Sequence, residues 1–377
     1  MNSITEGLLN NDCDVKILTL YSDKHPFQPE LMQPSYREKT RIEAVYVDLK
    51  PKISDAILCV FLGQSYVVKR FVSDKMKSLL VKTLKKERFD IVQLESIMLA
   101  PYIPLIRKHS KAKITFHCPN VEHLIWQRRI KGSHLNFFKK WYLKNTALNL
   151  KVYELEHIND FDAVFPVTDI DADYFKEHGC KKLCKGIPIG FDNVEKLPDV
   201  MEEEHTLFHI GSMDWFPNEQ GIQWFLSDVW KKIHEQLPHI KTFLAGRNMP
   251  FWLKNGKWDN VNVVGEVDDS ILFMSSKKIM VVPLLSGSGI RIKILEAMSI
   301  GKAVVATSIA AEGIMYHDGE DILIADTPEE FVAAVKRLDS DSDYCRRVGE
   351  NAYKLIREKY DSNRIGSELS DYYRQIL

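Results

Sequence analysis

The sequence lacks the features of membrane-spanning and secreted proteins. Its longest apolar run is AILCVFL, residues 56–62, which is far shorter than the roughly 20 residues that cross a bilayer as a helix. The N-terminal segment MNSITEGLLN contains neither a basic start nor a long apolar stretch, so we expect no signal peptide. These absences predict a cytoplasmic protein that contacts the inner face of the membrane at most peripherally.

The sequence also lacks paired cysteines. Its six cysteines show no C-x-x-C spacing. The closest two, Cys180 and Cys184, have no second pair or nearby histidine set that would complete a zinc site. We therefore expect reduced and mostly packed thiols.

Common ligand-binding motifs are absent as well. There is no P-loop pattern, and the dinucleotide fingerprint G-x-G-x-x-G fails because Ile292 stands where its third glycine should be. The segment TDIDADYF (168–175) lacks the glycine and the distal glutamate of a calcium loop. Asp169, Asp171 and Asp173 are therefore interpreted as acids in the first turn of a helix rather than as ligands of a calcium ion.

Net charge is nearly zero, at −1, but the two halves of the chain differ. Residues 1–195 contain 30 Lys and Arg against 24 Asp and Glu, whereas residues 196–377 contain 21 against 28. Because a basic surface attracts anions, the asymmetry suggests that the first half meets an anionic partner.

Short, continuous apolar runs alternate with helical patterns in the second half. These runs are TLFHIG (206–211), KTFLAG (241–246), VNVVGE (261–266), KIMVVPLL (278–285), KAVVAT (302–307) and DILIAD (321–326). Continuous rather than alternating apolar strands indicate a parallel sheet that is covered on both faces. The pattern predicts a doubly wound α/β domain.

The first half repeats this theme less regularly. Its apolar runs lie at 14–21, 43–47, 89–96, 112–117 and 162–168. The polar stretch 188–205 carries two prolines and little periodicity, so a linker between two domains is predicted there. Met1 lies inside the first helical pattern, whereas a doubly wound domain normally begins with a strand and a glycine-rich turn. Either those elements are absent or the chain start is misplaced, and we expect the latter.

The stretch PLLSGSGIRIKILEAMSIGKAVVAT (283–307) runs from a strand end through a glycine-rich turn into a helix. Such a junction is a phosphate cradle, because backbone N–H groups and the helix dipole face the turn. Gly287 and Gly289 let the backbone approach a ligand. Arg291 and Lys293 stand where the dipole disfavours each cation by about 0.3–1 kcal/mol, but a bound dianion would pair with both. The alternative is an ordinary turn whose cations extend into solvent.

Glu296 lies among apolar residues in the segment IKILEAM. A carboxylate in such surroundings is unfavourable unless it is hydrogen-bonded. The vicinal hydroxyls of a ribose are a natural partner, as they are for the acid of dinucleotide-binding folds. The alternative is an i,i+3 ion pair with Lys293, in the weaker orientation with the cation N-terminal.

Residues 281–314 resemble the donor-site segment of glycosyltransferase family 4, as do FHIGSMDWFPNEQGIQWF (208–225), FLAGR (243–247) and VVGEVDD (263–269). The motifs occur in the family's order and spacing over most of residues 90–375. The resemblance implies the α/β GT-B fold, in which two Rossmann-like, doubly wound domains face each other across a cleft that holds the active site. A C-terminal helix crosses back to the first domain.

Applied to this chain, the resemblance implies an acceptor-side domain at 1–195, a nucleotide-sugar-binding domain at 196–355 and the crossing helix at 356–377, within the helical pattern 345–373. It also implies hexosyl transfer with retention from a nucleotide-sugar, with no metal and no other cofactor. Together with the cradle residues, the predicted donor-binding set is Gly211, Ser212, Gly246, Arg247, Val264, Gly287, Ser288, Gly289, Ile290, Arg291, Lys293 and Glu296.

The sequence departs from the family pattern at two points. The family typically has two glutamates separated by seven residues in this segment, and counting back from Glu296 places Ser288 at the first. Many members also carry an Arg and a Lys in the loop after the first strand of the second domain. Here that loop, GSMDWFPNEQG (211–221), contains no cation. We infer that Arg291 and Lys293 neutralise the phosphates instead.

His117, Glu122 and Glu95 are the predicted catalytic residues of the first half. Glu95 and His117 each end a predicted strand, where ligands of open α/β sheets bind, and the resemblance places a functional histidine near His117, close to the donor sugar. A two-residue shift in the alignment leaves Asn120 and Glu122 as competitors, and a helix-capping role for Asn120 is equally open. In the family the departing phosphate oxygen takes the acceptor's proton, so the protein supplies positioning and charge stabilisation rather than a nucleophile.

Residues 123–153 contain seven Lys and Arg and no acid, interleaved with aromatics that include Phe137, Phe138 and Trp141. This composition suits an anionic membrane surface or a lipid-diphosphate acceptor, and no nucleic-acid motif accompanies it. The alternative is a helix that packs its aromatics inward and keeps its lysines in water.

The predicted function is a nucleotide-sugar-dependent glycosyltransferase that acts on a glycan or polyprenyl-linked acceptor in cell-surface polysaccharide synthesis. Two alternatives stay open. One is a nucleotide-sugar epimerase of GT-B fold, which needs no acceptor. The other is a catalytically silent sugar-nucleotide-binding protein, an idea that Ser288 and the short N-terminus allow.

Overall fold

The computed structural model describes residues 2–50, 52–131, 136–191, 200–287 and 289–377. The chain divides into two compact units: the first contains residues 1–190 and 362–377, and the second contains 191–361. The boundaries predicted from the sequence, after residues 195 and 355, fall a few residues from these.

Parallel strands build the first unit. Those among its described residues are β1 (Leu18–Tyr21), β2 (Glu43–Tyr46), β3 (Ile91–Leu94), β4 (Lys113–Cys118), β5 (Ala163–Pro166) and β6 (Leu183–Cys184). β1 pairs with β2 in one sheet, and β3, β4, β5 and β6 follow one another in a second sheet. The apolar runs predicted the first five, whereas β6 has only two residues and left no such signal.

Helices alternate with these strands. They are α1 (Asn2–Asn10), α2 (Pro34–Thr40), α3 (Ile53–Phe61), α4 (Tyr66–Lys69), α5 (Asp74–Lys86), α6 (Ile103–His109), α7 (Glu122–Lys131), α8 (Phe137–His157) and α9 (Asp169–Glu177). Thr168 caps α9 by accepting the backbone N–H of Asp171. Asp169 and Asp171 lie in its first turn as predicted, but Asp173 lies beyond it and pairs with Lys176 at 2.9 Å, so the prediction was wrong for Asp173.

The second unit is a doubly wound parallel sheet. Its described strands are β7 (Glu203–Ile210), β8 (Lys241–Ala245), β9 (Val261–Gly265), β10 (Lys277–Val282), β11 (Ala303–Ala306) and β12 (Leu323–Ile324). Their order is β12-β11-β10-β7-β8-β9. The six predicted apolar runs correspond to these strands. The predicted linker 188–205 was wrong at its end, where β7 begins, and its residues 192–199 lie outside the described residues.

Seven helices in the described part of this unit cover both faces of the sheet. They are α10 (Phe216–Trp224), α11 (Trp230–Gln236), α12 (Phe251–Asn255), α13 (Ser270–Ser275), α14 (Ile292–Ser299), α15 (Pro328–Ser340) and α16 (Ser342–Lys359). One apolar cluster joins α10, α11 and α15 to the sheet, and a second joins α14. The π-helical turn Phe225–Val229 connects α10 with α11.

The last helix, α17 (Ser362–Ile376), belongs to the first unit and packs on α1. A Cβ on Gly366 would lie 2.2 Å from the carbonyl carbon of Gly7, so the two helices touch through bare backbone. The predicted crossing helix 356–377 was wrong at its start, because α16 continues to Lys359 and only α17 joins the first unit. The six cysteines are free. No helix within the described ranges is long and apolar enough to span a bilayer.

Candidate functional site

The strand order of the second unit reverses between β10 and β7. From β7 the chain continues outward to β8 and β9, whereas from β10 it continues in the other direction to β11 and β12. In open α/β sheets, ligands bind outside the carboxyl ends of the strands at such a switch point. The loops that follow β7 and β10 therefore flank the expected ligand site.

The loops after β7, β8 and β9 are held together by backbone contacts. The N–H of Gly246 donates to the carbonyl of Gly265 at 2.7 Å. Gly246 has φ +139°, and a Cβ there would lie 1.8 Å from the Gly211 carbonyl oxygen, so this position requires glycine. Ser212 follows Gly211, and its hydroxyl is 2.5 Å from Oδ1 of Asp214. Three predicted donor residues are thus brought together.

Arg247 and Val264 lie at the carboxyl ends of the neighbouring strands. Arg247 directly follows Gly246, and its side chain is exposed. Its carbonyl accepts the N–H of Met213 at 2.9 Å, which joins it to the loop after β7. Val264, the penultimate residue of β9, is 45% exposed. Arg247 therefore supplies a cation at the edge of the sheet where loop 211–221 has none.

The loop after β10 turns through two glycines. Gly287 has φ +127° and Gly289 has φ +78°, and residues with side chains rarely adopt these conformations. The hydroxyl of Ser286 donates to Oε1 of Gln220 at 2.7 Å, which ties this loop to α10. Ser288, which the sequence placed in the donor set, lies outside the described residues. The turn has the geometry expected of a phosphate cradle, while phosphate binding itself stays a prediction.

Arg291 occupies the N-cap position of α14, but its side chain does not extend into solvent. The residue is 7% exposed, and its guanidinium donates from Nη1 to the Gly289 carbonyl. The guanidinium carbon also lies 5.3 Å from the ring centroid of Trp215, a cation–π contact worth about 0.5–2 kcal/mol. Ile290, the preceding residue, packs on the apolar core. The alternative of a solvent-extended Arg291 is therefore wrong.

Lys293 and Glu296 form an ion pair, with Nζ 2.6 Å from Oε2 and side chains 39% and 23% exposed. This is the i,i+3 pair that competed with ribose binding in the sequence argument. The pair engages one carboxylate oxygen and leaves Glu296 partly buried among apolar neighbours. Ribose binding by Glu296 is compatible with this arrangement and stays a prediction.

The first unit brings two of its predicted catalytic residues together. Glu95 follows β3 and His117 lies in β4, the neighbouring parallel strand. Nδ1 of His117 is 2.7 Å from Oε2 of Glu95, and the two side chains are 3% and 24% exposed. Nε2 of His117 is buried and finds no hydrogen-bond partner among the residues that the structure describes. Because buried polar atoms are normally paired, this nitrogen is available to a ligand, and the catalytic role of His117 stays a prediction.

Glu95 is held in its ionised form. Burial acts to raise the pKa of Glu95, but the charge and hydrogen bond of His117, with a hydrogen bond from Gln93, lower this pKa overall. Gln93 donates from Nε2 to Oε1 of Glu95 at 2.6 Å, and its own Oε1 accepts the hydroxyl of Tyr373 in α17. A hydrogen-bonded series therefore runs from the last helix to the imidazole of His117.

Glu122, the first residue of α7, belongs to a different network. Its backbone N–H donates to Oε1 of Glu154 at 3.2 Å, while Oε2 of Glu154 is 2.5 Å from Nδ1 of His123. Burial and the charge of Glu154 raise the pKa of Glu122 to about 7. Glu122 is thus a carboxyl that can exchange a proton near neutral pH. Asn120 lies half-buried just before the helix, and its role stays open.

Residues 204–341 match the family model described as Glycosyl transferases group 1. This range contains all the donor-binding residues predicted from the sequence. The match covers most of the second unit.

One relative and two solved structures are similar to the chain over most of its length. An uncharacterised 44.6 kDa protein in the cps region of Klebsiella pneumoniae is 24% identical over 321 residues, which cover 78% of this chain and 77% of that protein. Sucrose-phosphate synthase from Thermosynechococcus elongatus has a TM-score of 0.70 at 15% identity, covering 99% of this chain and 91% of that one. HepE of Anabaena in complex with UDP has a TM-score of 0.64 at 14% identity, covering 96% and 100%. The predictions of a glycosyltransferase and of the GT-B fold are confirmed.

Two residues beside the expected ligand site of the second unit, Trp215 and His209, were not predicted from the sequence. Trp215 carries the ring against which Arg291 lies. His209 donates from Nδ1 to the Val281 carbonyl at 2.9 Å, and burial lowers the pKa of His209 to about 4, an effect that this hydrogen bond only partly offsets. A Cβ on Gly211 would lie 3.2 Å from Nε2 of His209, so the neutral ring abuts the predicted donor loop. The sequence signal that could have indicated His209 was the presence of a histidine inside the otherwise apolar run TLFHIG.

The basic and aromatic segment exposes part of its apolar surface. Phe137, Phe138 and Trp141, at the start of α8, are 77%, 78% and 49% exposed. The alternative in which the aromatics pack inward is therefore wrong for these three, although Tyr142 and Tyr153 do pack on buried clusters. Three of its basic side chains lie outside the described part of the structure: those of Arg128, Arg129 and Lys131.

Proposed function

We propose that this chain is a retaining hexosyltransferase that moves a sugar from a nucleotide-sugar to a glycan or polyprenyl-linked acceptor in cell-surface polysaccharide synthesis. The observation that carries the proposal is the switch point between β7 and β10. There the Gly211 loop and the turn at Gly287 and Gly289 meet through the contact of Trp215 with Arg291. HepE, a similar fold, has been solved with UDP-glucose, and the Klebsiella relative lies in a cps region, which supports this choice of substrates.

In this proposal, protein cations take the place of a metal at the donor diphosphate. The N–H groups of the cradle and the dipole of α14 hold the phosphates, and Arg247, Arg291 and Lys293 neutralise their charge. Arg291 exchanges its bond to the Gly289 carbonyl for charge-assisted bonds to phosphate oxygens, which are roughly twice as strong as neutral ones. Glu296 accepts hydrogen bonds from the ribose.

On the acceptor side, His117 presents Nε2 to a substrate hydroxyl. Glu95 fixes the orientation of the imidazole through Nδ1. The departing phosphate oxygen takes the proton of the acceptor hydroxyl, so no protein nucleophile is needed. The protein contributes by positioning the substrates and by stabilising the charge that develops on them.

A panel of nucleotide-sugars, assayed with and without candidate glycan and polyprenyl-linked acceptors, tests this function. Acceptor-dependent release of nucleoside diphosphate, unchanged by a chelator, supports metal-independent transfer. Conversion of the donor sugar without an acceptor would identify an epimerase. Binding without conversion or release would identify a silent sugar-nucleotide-binding protein, and either of these outcomes would overturn the proposal.

Arg291→Ala is expected to weaken nucleoside diphosphate binding by about 10–100-fold, because a charge-assisted hydrogen bond contributes roughly 1.5–3 kcal/mol. Binding of the nucleoside alone should hardly change. Glu296→Ala should instead weaken nucleoside and nucleoside diphosphate equally, since it removes the ribose partner. Isothermal titration calorimetry measures each affinity.

Arg337→Ala is the matched control for this pair of variants. Arg337 lies on α15 of the same domain and is also held by a ring, with its guanidinium carbon 3.8 Å from the Tyr344 centroid. Its removal should leave both affinities unchanged. If Arg291→Ala binds the diphosphate as tightly as the parent, the phosphate role of Arg291 is wrong.

We also assign a membrane contact to the first unit. The exposed aromatics of α8 are accompanied by the exposed cations Lys139, Lys140 and Lys144. The adjoining helix α3 packs on α8 next to Tyr142. This helix and the residue after it expose further large apolar side chains: Ile57, Leu58, Phe61 and Leu62. Apolar residues beside cations suit the interface of an anionic bilayer, where a polyprenyl-linked acceptor resides.

Replacing Lys139, Lys140 and Lys144 together with glutamate should abolish binding to vesicles that contain anionic lipid, since each cation near such a surface contributes about 1 kcal/mol. Binding of the parent should weaken as salt is raised. The same change at Lys75, Lys85 and Lys86, exposed on α5, is the control and should have a smaller effect. A parent chain that fails to sediment with vesicles at low salt would contradict the membrane contact.

A further inference from the structure

Three side chains from three elements of the second unit converge at the amino end of its sheet. His205 lies near the start of β7, His239 precedes β8, and Asp339 is close to the end of α15. Nδ1 of His205 is 2.8 Å from Oδ1 of Asp339, and Nε2 of His239 is 2.8 Å from Oδ2. The imidazole planes are perpendicular, with centroids 4.7 Å apart. The two nitrogens and a carboxylate oxygen all lie within 4.8 Å of one another.

Burial and backbone geometry distinguish this cluster from an ordinary surface pair. The Asp339 side chain is 6% exposed, whereas those of His205 and His239 are 51% and 48% exposed. The buried carboxylate is therefore bordered by two rings that solvent can reach. His205 also has φ +57°, a left-handed conformation that costs a non-glycine residue about 1–2 kcal/mol. Such a residue is kept in place by its contacts, and here its ring is bonded to Asp339.

We propose that His205, His239 and Asp339 bind a divalent transition-metal ion, with Zn²⁺ as the preferred one. Imidazole nitrogen and carboxylate oxygen are ordinary zinc ligands. Tetrahedral Zn²⁺ with bonds of about 2.0–2.2 Å separates its ligand atoms by roughly 3.3 Å, so the observed N···O distances need to open only slightly. When the ion binds, the ring proton of His205 moves from Nδ1 to Nε2 and that of His239 moves from Nε2 to Nδ1, both through solvent. A water molecule takes the fourth coordination position.

The ion neutralises a buried carboxylate, which is otherwise unfavourable. It also links β7, the turn before β8 and α15. At about 3.3 Å per residue along β7, the site lies roughly 20 Å from Gly211 at the opposite edge of the sheet. The ion therefore stabilises the second unit and takes no part in sugar transfer, so the inference is independent of the proposed metal-free reaction.

Calorimetric titration of the untagged, full-length chain with ZnCl₂ tests this site. The parent should bind one ion, and His205→Ala and His239→Ala should each weaken binding by at least about tenfold, because each removes one of three ligands. The double variant should lose binding at this site and also the rise in Tm that Zn²⁺ produces in the parent. Both substitutions are at half-exposed rings, and thermal melts without metal check that the variants are folded.

His317→Ala is the matched control. His317 pairs with Asp321 at 3.1 Å in the same unit, but the pair offers only two ligands, so Zn²⁺ affinity should be unchanged. Mg²⁺, which prefers oxygen ligands, should not compete. The proposal is overturned if the parent does not bind Zn²⁺, or if the folded double variant binds it as tightly as the parent.

Discussion

Replacing His117 with alanine is expected to reduce kcat for sugar transfer by about 10²–10³-fold, the loss typical of removing one preorganised hydrogen-bonding group from an active site. The imidazole is 3% exposed and fixed by Glu95, so Nε2 is presented in a defined direction. The KM for the donor should change far less, because the proposed contacts to its diphosphate and ribose belong to the second unit. Steady-state kinetics with the donor and acceptor found in the substrate panel measure both constants.

His157→Ala is the control for this variant. His157 pairs with Asp160 at 2.6 Å in the same unit, but the pair lies on the surface, so kcat should not change. Glu95→Gln should give an intermediate loss, since it keeps the shape of the side chain and removes the charge that orients His117. A folded His117→Ala variant with unchanged kcat would exclude His117 from the mechanism and leave Glu122, with its pKa of about 7, as the candidate.

The parallel sheets were predictable because their central strands are covered on both faces. Continuous apolar runs follow from that burial, as in β10 and β11, which are buried at every position. The pattern could not give boundaries where burial is partial. Glu203 at the start of β7 is exposed, so the strand begins inside what reads as a polar linker. The two-residue strand β6 is too short to show any period.

The cradle was predictable from local sequence, because its glycines and helix start lie within a few residues of one another. The partner of Arg291 was not, since the ring of Trp215 comes from a loop that follows a different strand. The hydrogen-bonded series from the last helix to His117 was not predictable either, because its members are far apart along the chain. Tyr373 and Gln93 are 280 residues apart, and only folding places the last helix beside β3.

The competition between ribose binding and an ion pair at Glu296 shows a further limit. The sequence pattern indicates that a carboxylate among apolar residues needs a partner. It does not distinguish between Lys293 and a ligand as the partner of Glu296. The structure contains the pair with Lys293, made through Oε2 of Glu296, and the titrations of Glu296→Ala with nucleoside and nucleoside diphosphate test ribose binding.

The pair formed by His123 and Glu154 is the position in the first unit where one substitution should have the largest effect on stability. Both side chains are completely buried, and Nε2 of His123 continues to the hydroxyl of Tyr174 at 2.8 Å. Glu154 also accepts the backbone N–H groups of Glu122 and His123, so one carboxylate fixes the start of α7. Removing it leaves several buried donors without an acceptor.

Glu154→Ala is therefore expected to destabilise this region by about 3–5 kcal/mol, the loss typical of breaking a buried pair by deleting one partner. Hydrogen exchange of the α7 amides should accelerate by roughly 10²–10⁴-fold, because opening of this segment becomes correspondingly easier. Glu156→Ala is the matched control, since Glu156 lies on the same helix but is exposed, and α7 should then exchange as in the parent. Equal protection of α7 in both variants would mean that apolar packing alone holds the helix. In that case the buried pair contributes little, as happens when the cost of removing two charges from water cancels their attraction.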